Sequence, residues 1–385
     1  MKRRNVLDVL AAARPADLGG PGKPVIAEPP HREMRRGRWI GAVAASLATA
    51  VIIGVTALPR LIEGDVSTGH TLGSPAAGLL DTAAERAAAQ QDASGRYWRV
   101  EGYVLGEEII GSRERPYRIK TRAQSSRWVP RDPAEALVLA ERGMPSVPAS
   151  AVDEDAWRRA GAPELCGNDT DCENDTAPLG RTRYMFMPSN WPFGEEGLTL
   201  PVNELLTLPQ EPGALKEQLL SFWPAYSKSM ANWPSPPAGA ALPRKDSWLL
   251  GLSLDLLQYG PLSAGTRAAL YRMVADLPGT RALGRVRDAE GRWGLAVGWT
   301  DVLADGQTER RLIVNETDGD LLSIQHVIVK PWTYDPPGIT GLTGLPTGTV
   351  YEELVYHRPG WTDTPPQLPK ACRSLPPVEG KECVE

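Results

Sequence analysis

The sequence predicts an α+β protein in which a single N-terminal transmembrane helix precedes an extracytoplasmic, curved antiparallel sheet packed by helices. Three observations lead to this prediction. An uncharged run fills residues 39–58, segments of helical pattern occupy much of residues 211–279, and four short strand-like segments with turn sequences between them fill residues 280–330. Alternation with a period of two indicates strands, and a period of 3.6 residues indicates helices.

The uncharged run from Trp39 to Leu58 is twenty residues long. At roughly 1.5 Å per residue it would extend for about 30 Å, which is the thickness of the hydrocarbon core of a bilayer. Three of the residues 35–38 are arginine, and only Arg60 follows the run closely. The positive-inside rule then predicts a plasma-membrane protein whose N-terminus is cytoplasmic and whose C-terminus is extracytoplasmic.

A cleaved signal peptide is the alternative to this anchor, with residues 55–57, "VTA", as a loosely fitting cleavage site. The charged segment before the run has 38 residues and the run itself has twenty. The apolar part of a signal peptide usually has only about 7–15 residues. The uncleaved anchor is therefore favoured, and the lipid bilayer is the first predicted partner.

The anchor divides the chain into five predicted segments. They are a short, basic and mostly disordered cytoplasmic segment at 1–38, the transmembrane helix at 39–58, a flexible linker at 59–78, an extracytoplasmic α+β domain at 79–363, and a Pro-rich, Cys-containing tail at 364–385. Residues 1–38 hold nine Lys and Arg against four Asp and Glu, so their charge of +5 leaves −10 on the remainder of a chain whose total is −5. An acidic ectodomain argues against nucleic acid as a partner.

The helices and strands of the domain follow from periodicity and turn chemistry. The segment 263–279 places Leu270, Met273, Val274 and Leu277 at helical spacing and ends in Pro-Gly. The other predicted helices are 79–90, 132–143, 211–223 and 246–260. The predicted strands are 96–106, 117–129, 180–189, 280–288, 292–302, 307–316, 321–330 and 349–357.

The four strands of residues 280–330 form the clearest predicted unit. The sequences "AEG", "LADG" and "TDGD" connect them, and Gly and Asp are typical turn residues. Leu295, Val297 and Trp299 alternate along one of these strands. The sheet is therefore expected to have one buried face.

All four cysteines lie on the predicted outer side of the membrane, where disulfides persist. Proximity in sequence favours the pairs Cys166–Cys172 and Cys372–Cys383, and two other connectivities remain open. A four-cysteine zinc site would need two C-x2–4-C spacings, which this sequence lacks. No metal ligand is predicted among the cysteines.

Several sequence blocks carry a resemblance to a known family. A basic stretch and one N-terminal span precede "YWRVEGY", "LTLPQEPGALKEQLL", "RAALYRMVADLPGTRALGRVRDAEGRWGLAV" and "ETDGDLLS". In that order they resemble an uncharacterised actinobacterial family of single-pass membrane proteins, over residues 35–363 and most specifically over 264–330. The resemblance implies a helix followed by a meander outside the membrane, no established activity, and a link to sigma factors. The meander also resembles the half-open barrel of periplasmic lipoprotein carriers and of sigma-regulating sensor domains.

Motifs for catalysis are absent from the sequence, so no enzyme, catalytic residue or cofactor is predicted. His326 and His357 fall in predicted strands, where a lone histidine is more often packed than catalytic. The acidic segment 164–176, which departs from the family pattern, has alternating carboxylates that could hold a hard cation. A solvated acidic loop closed by a disulfide is the favoured interpretation of this segment.

Tryptophans are the remaining candidates for a ligand site. Twelve Trp against three Phe suggest bulky anchors in the core. The candidate ligand-facing residues on a concave sheet face are Trp98, Trp248, Trp293 and Trp299. The leading prediction is a membrane-anchored, non-enzymatic envelope protein, a sensor or regulator with a cytoplasmic partner such as a sigma factor. The alternative is a tethered carrier of a lipid or other apolar ligand.

Overall fold

The computed structural model describes residues 75–112, 114–165, 180–189, 200–231, 243–303, 305–334, 341–373 and 381–384. Within these ranges the chain forms helices and one antiparallel sheet of ten strands, so the predicted α+β class is confirmed. The predicted segments 1–38 and 39–58 lie outside the described residues. None of the helices in the described part has the length and apolar character that crossing a bilayer requires.

The described elements follow one another along the chain with short connections. The helices are α1 (Pro75–Ala88), α2 (Ala151–Arg159), α3 (Val202–Leu205), α4 (Pro212–Leu220), α5 (Trp223–Ala231), α6 (Lys245–Tyr259), α7 (Ala264–Ala275) and α8 (Lys370–Arg373). The strands are β1 (Tyr97–Ser112), β2 (Arg115–Pro130), β3 (Leu137–Pro148), β4 (Thr182–Met187), β5 (Arg281–Arg287), β6 (Trp293–Leu303), β7 (Gly306–Val314), β8 (Leu321–Lys330), β9 (Val350–Thr362) and β10 (Lys381–Val384).

The sheet consists of two groups of neighbouring strands. Its order is β10-β4-β3-β2-β1-β9-β8-β7-β6-β5, and every neighbouring pair is antiparallel. β1 and β9 join the two groups, with Tyr103 opposite Val355 in the register. Sequential strands pair readily because hairpins close over short loops.

The main core lies between the helices and one face of the sheet, which we call the helix-side face. Leu252 of α6 and Tyr271 of α7 are fully buried there, together with Val297 and Trp299 of β6. Burial of each such side chain stabilises the fold by about 1.5–3 kcal/mol.

Leu295 of β6 is buried as well, but so are Gly294, Ala296 and Gly298, so the predicted alternation with one buried face is wrong for β6. Ala296 packs with Ile313 and Leu322 in a separate cluster, so this strand is covered on both faces.

The opposite face of the sheet, which we call the tail-side face, has a smaller core beneath the C-terminal residues. Tyr97, Trp128, Val138 and Phe186 are buried there against Cys372 of α8. Because side chains alternate along a strand, these residues stand opposite the main core. Both faces of the first four strands are therefore partly covered.

One predicted helix is wrong, because residues 137–143 of the segment 132–143 form the first half of β3. Its run Leu137-Val138-Leu139-Ala140 is apolar at every position, which resembles a helical core segment in sequence. In the structure Leu137 and Leu139 face the main core, whereas Val138 and Ala140 face the tail-side core. A strand buried on both faces loses the alternation that identifies strands.

Two described elements lie wholly or partly in segments that the sequence predicts as linker and tail. α1 begins at Pro75, inside the predicted linker 59–78. Proline is tolerated at the start of a helix because the N–H that it lacks would have no partner there. β10 lies in the predicted tail 364–385 and adds a tenth strand beside β4.

Candidate binding cleft

The four candidate tryptophans lie in two different environments. Trp98, Trp248 and Trp299 are only 5%, 1% and 3% exposed and belong to the main core. Trp293 is 45% exposed and lies under the guanidinium group of Arg287, at 4.4 Å from its ring centroid. The structure therefore brings three of the four into one cluster and leaves the fourth at the surface. Contact of any of them with a ligand stays a prediction.

Two of the predicted disulfide cysteines are described. Cys372 and Cys383 form a disulfide across 11 residues, which confirms this predicted pair. Cys166 and Cys172 lie outside the described residues, as do most residues of the acidic segment 164–176. Among the described residues there is no group of three or more His, Cys, Asp and Glu that could hold a metal ion.

The disulfide ties the C-terminal residues to the tail-side face of the sheet. Cys372 is fully buried, and Cys383 of β10 stands opposite Tyr184 of β4 in the register. The hydroxyl of Tyr184 donates a 3.4 Å hydrogen bond to the carbonyl oxygen of Gln367. The residues just before α8 are thus held above β4 and form a wall over the sheet.

A cleft of about 400 Å³ lies between this wall and the strands β1 to β4. Its volume is in the range of small-molecule sites. Eight sheet residues line it: Arg99, Gln124, Ser126, Trp128, Ala140, Arg142, Thr182 and Tyr184. Three residues of the wall complete it: Thr364, Pro365 and Gln367. The sheet residues share the tail-side face because the register places them on the same side of neighbouring strands.

Arg99 occupies one end of this cleft. Its guanidinium carbon lies 5.3 Å from the ring centroid of Trp128, and it forms an ion pair with Glu101. Stacking and the ion pair together fix the orientation of the guanidinium plane. Its Nε–H group is buried and has no acceptor among the described residues. The Nη1 group likewise has no acceptor among the described residues and is not one of the fully buried atoms, so it is a donor that could serve a ligand.

Arg142 lies at the other end, on the exposed side of β3. It stands opposite Gln124 of β2 and Thr182 of β4 in the register. Within the described part of the chain, Arg142 makes no ion pair. Among the residues described, its positive charge is therefore uncompensated, although the whole chain has a net charge of −5.

A third arginine extends the basic character of this face beyond the cleft. The guanidinium carbon of Arg122 lies 4.0 Å from the ring centroid of Tyr103. Burial, followed by the negative charge of Glu290, raises the pKa of the Tyr103 hydroxyl to about 12. The phenol is therefore neutral at ordinary pH, and its ring serves as a platform for the Arg122 cation.

A second polar arrangement lies on the helix-side face and is separate from the cleft. His326 of β8 stands opposite Glu352 of β9, with 3.5 Å between Nδ1 and Oε2. The hydroxyl of Tyr351 lies 3.3 Å from the same Nδ1 atom. Arg310 of β7 faces His326 in the register and forms an ion pair of 3.3 Å with Asp301.

Burial sets the protonation states in this second cluster. Desolvation, opposed by the charge of Arg310, raises the pKa of Glu352 to about 7. Desolvation, together with the charge of Arg310, lowers the pKa of His326 to about 3. At a pH between about 3 and about 7 both side chains are uncharged, so their contact is between neutral groups and is not an ion pair. The cluster can therefore exchange a proton near neutral pH.

Comparisons of the chain with known protein families, with curated proteins and with solved structures found no match. The class defined by the fold is thus an α+β domain with a ten-stranded antiparallel sheet and a disulfide-anchored tail.

The sequence alone does not identify the cleft residues. Arg99 and Ser126 lie in correctly predicted strands, and their shared face could be deduced from the hairpin register. Arg142 is misplaced, because the sequence predicts a helix over residues 132–143. The wall depends on Cys372 and Cys383, whose position over β4 is a tertiary feature with no local signal.

Proposed function

We propose that the chain is a membrane-anchored, non-enzymatic envelope protein whose extracytoplasmic domain binds a ligand and acts as a sensor or regulator linked to a sigma factor. The observation that carries this proposal is the cleft beneath the disulfide-anchored wall. A concave site with a few fixed polar groups is the usual form of a ligand site. Its position on the sheet, away from the main core, lets a ligand bind without repacking the helices.

The chemistry of the lining supports binding rather than catalysis. The described residues that line the cleft offer guanidinium, amide, hydroxyl and aromatic groups, and they include no carboxylate, imidazole or thiol. General acid–base catalysis needs a group that titrates near the working pH. The lining is therefore suited to holding a ligand and not to transferring its protons.

Two features support an extracytoplasmic position for the domain. The disulfide between Cys372 and Cys383 is of the kind that persists in oxidising compartments. The uncharged run 39–58, with arginines before it, predicts an anchor with the domain outside. The short basic segment 1–38 is then the cytoplasmic part, and its length suits a linear contact with a regulator.

Topology is tested with reporter fusions after residue 385. We expect a reporter that is active only outside the cytoplasm to work at this position. A reporter that is active only in the cytoplasm should fail there. The reverse result would overturn the orientation, and with it the sensor proposal.

The role of the cleft is tested by blocking it in cells. Gln124 is exposed on β2 and lines the cleft, so Gln124→Trp should fill it while keeping a residue that strands accept. Gln218→Trp makes the same change at an exposed position of α4 and is the matched control. We expect the transcript profile of the Gln124→Trp cells to match that of cells lacking the gene. A profile like that of the control would contradict the proposal.

The cytoplasmic contact is tested by crosslinking in intact cells. We expect the full-length protein to crosslink to a sigma factor, and a chain lacking residues 2–31 to lose this product. The truncated chain keeps the arginines at 35–38 that orient the anchor. Recovery of the same product from both chains would contradict a role for the cytoplasmic segment.

A further inference from the structure

We propose that the ligand of the cleft is a polyhydroxylated carboxylate, that is, a sugar acid or an acidic saccharide. This inference rests on the proposed function, because it names the ligand class of the same site. Three observations carry it: the local charge at Arg142, the free donor of Arg99, and the neutral hydrogen-bonding groups between them.

The charge at the cleft selects an anion. Arg142 lacks an ion-pair partner in the described part of the chain, whereas Arg99 is already paired with Glu101. The net charge that a ligand meets therefore comes from Arg142. A planar guanidinium can bind a carboxylate through two parallel hydrogen bonds, which is among the strongest polar contacts at a protein surface.

The groups between the arginines fit hydroxyls better than an apolar ligand. Five neutral polar side chains line the cleft: Gln124, Ser126, Thr182, Thr364 and Gln367. Amides and hydroxyls both donate and accept hydrogen bonds, which matches the dual character of sugar hydroxyls. The aromatic rings of Trp128 and Tyr184 are each only 9% exposed, so they form the floor and offer little apolar surface.

The spacing of the two arginines fits a ligand longer than a single carboxylate. Arg99 stands opposite Trp128, and Arg142 stands opposite Gln124, four residues further along β2. The two arginines lie two strands apart and are offset by four residues along the strand direction. Their Cα atoms are therefore roughly 16 Å apart. Ser126 and Ala140 face each other between them and leave the middle of the cleft open. A sugar ring can lie over these small residues, with its carboxylate on Arg142 and a hydroxyl or ring oxygen on the Nη1 group of Arg99.

The first experiment compares matched probes on the full-length protein in detergent micelles. The probes are D-glucuronate, its neutral amide D-glucuronamide, and D-glucose 6-phosphate, titrated by ligand-observed NMR at pH 7 and low salt. We expect D-glucuronate to bind about tenfold more tightly than the amide, since a charged hydrogen-bonded pair is lost. Equal binding of acid and amide, no binding of D-glucuronate, or stronger binding of the phosphate would each overturn the carboxylate assignment.

The second experiment separates the roles of the two arginines. Arg142→Gln should weaken D-glucuronate binding about tenfold and abolish the preference for acid over amide. Arg99→Gln combined with Glu101→Gln removes the whole ion pair, so the net charge of the cleft is unchanged. This double variant should weaken both probes by a similar factor and keep the preference, because only a hydrogen bond is lost. Arg142→Lys keeps the charge without the fork geometry and should fall between wild type and Arg142→Gln.

A control and a fold check complete the design. Arg86→Gln removes one positive charge from an exposed position on α1 and should leave all affinities unchanged. The melting temperature of each variant is measured, so that loss of the fold is not taken for loss of the site. An unchanged acid preference in folded Arg142→Gln would overturn the proposal.

Failure of this inference is distinguishable from failure of the proposed function. If D-glucuronate does not bind but Gln124→Trp still alters the transcript profile, the ligand class is wrong and the sensor role stands. If D-glucuronate binds as expected and Gln124→Trp has no effect in cells, the ligand class stands and the sensor role is wrong.

Discussion

The hydroxyl of Tyr271 donates a 2.9 Å hydrogen bond to the carbonyl oxygen of Gly319, which ties helix α7 to the turn between β7 and β8. The same turn lies against α1. A Cβ atom on Gly319 would come within 2.5 Å of the Ala83 carbonyl oxygen and 2.7 Å of the Ala87 nitrogen. Both neighbours are helical backbone and cannot move aside, so the packing of α1 and α7 on the sheet requires glycine here.

Replacing Gly319 tests this close approach. Its φ of 75° already disfavours any other residue, and the approach to α1 adds a steric cost. We expect Gly319→Ala to lower the free energy of unfolding by about 2–4 kcal/mol, measured by denaturant titration. Gly279 has a φ of 85°, and a Cβ atom there would meet no described atom within 4 Å apart from its chain neighbours. Gly279→Ala should therefore cost only about 1 kcal/mol. Equal losses in the two variants would mean that the helix contact contributes nothing.

The second half of the sheet can be predicted from sequence because its information is local. The turns "AEG", "LADG" and "TDGD" mark hairpins, and Val297 and Trp299 are buried as expected, although Ala296 beside them is buried too. The first half is harder to predict. The run Leu137-Val138-Leu139-Ala140 is buried on both faces and has no period, and β10 pairs with a strand nearly two hundred residues earlier in the chain. Such pairings depend on tertiary contacts that no local pattern encodes.

Removing the disulfide tests the wall of the cleft. We expect Cys372→Ala combined with Cys383→Ala to lower the free energy of unfolding by about 2–3 kcal/mol, because a closed loop of this length restricts the unfolded chain. The variant is preferred to a reducing agent, since it leaves the other cysteines unchanged.

Hydrogen exchange locates the effect of this double variant. Amides of β10 and β4 should lose protection, because β10 is held beside β4 by the disulfide. Amides of β7 and β8 should keep it, since they lie in the other half of the sheet. An unchanged stability together with unchanged protection of β10 would contradict a structural role for the bond.

The buried pair on the helix-side face predicts an unusual dependence of stability on pH. Burial raises the pKa of Glu352 from 4.5 to about 7, so its favourable contribution is complete below pH 4.5 and is lost as the pH rises to about 7. Burial lowers the pKa of His326 from 6.5 to about 3, so its contribution is lost as the pH falls through that range. The two effects oppose each other between pH 4.5 and 6.5.

Glu352→Gln isolates one of these two titrations. The amide carries no charge, so the variant avoids the cost of a buried carboxylate above pH 7. We expect its stability relative to wild type to rise between pH 4.5 and 7, by on the order of 3 kcal/mol in total. Glu290→Gln is the control: although burial opposes the shift, the hydrogen bond from His357 holds the pKa of Glu290 below its usual value. The stability of Glu290→Gln relative to wild type should not rise between pH 4.5 and 7. A relative stability of Glu352→Gln that does not change over this pH range would contradict the prediction.

Trp299 decides whether the helix-side face is a core or a ligand pocket. The ring is 3% exposed, and its Nε1–H donates a 2.7 Å hydrogen bond to the Thr280 hydroxyl. Trp299→Ala should therefore leave a cavity, lower the free energy of unfolding by about 3–5 kcal/mol and reduce the melting temperature markedly. Trp293→Ala, at a ring that is 45% exposed, should cost less than about 1 kcal/mol. Thermal unfolding of the full-length variants measures the difference. An unchanged melting temperature in Trp299→Ala, accompanied by loss of a lipid that can be extracted from wild type, would instead favour a tethered carrier of an apolar ligand.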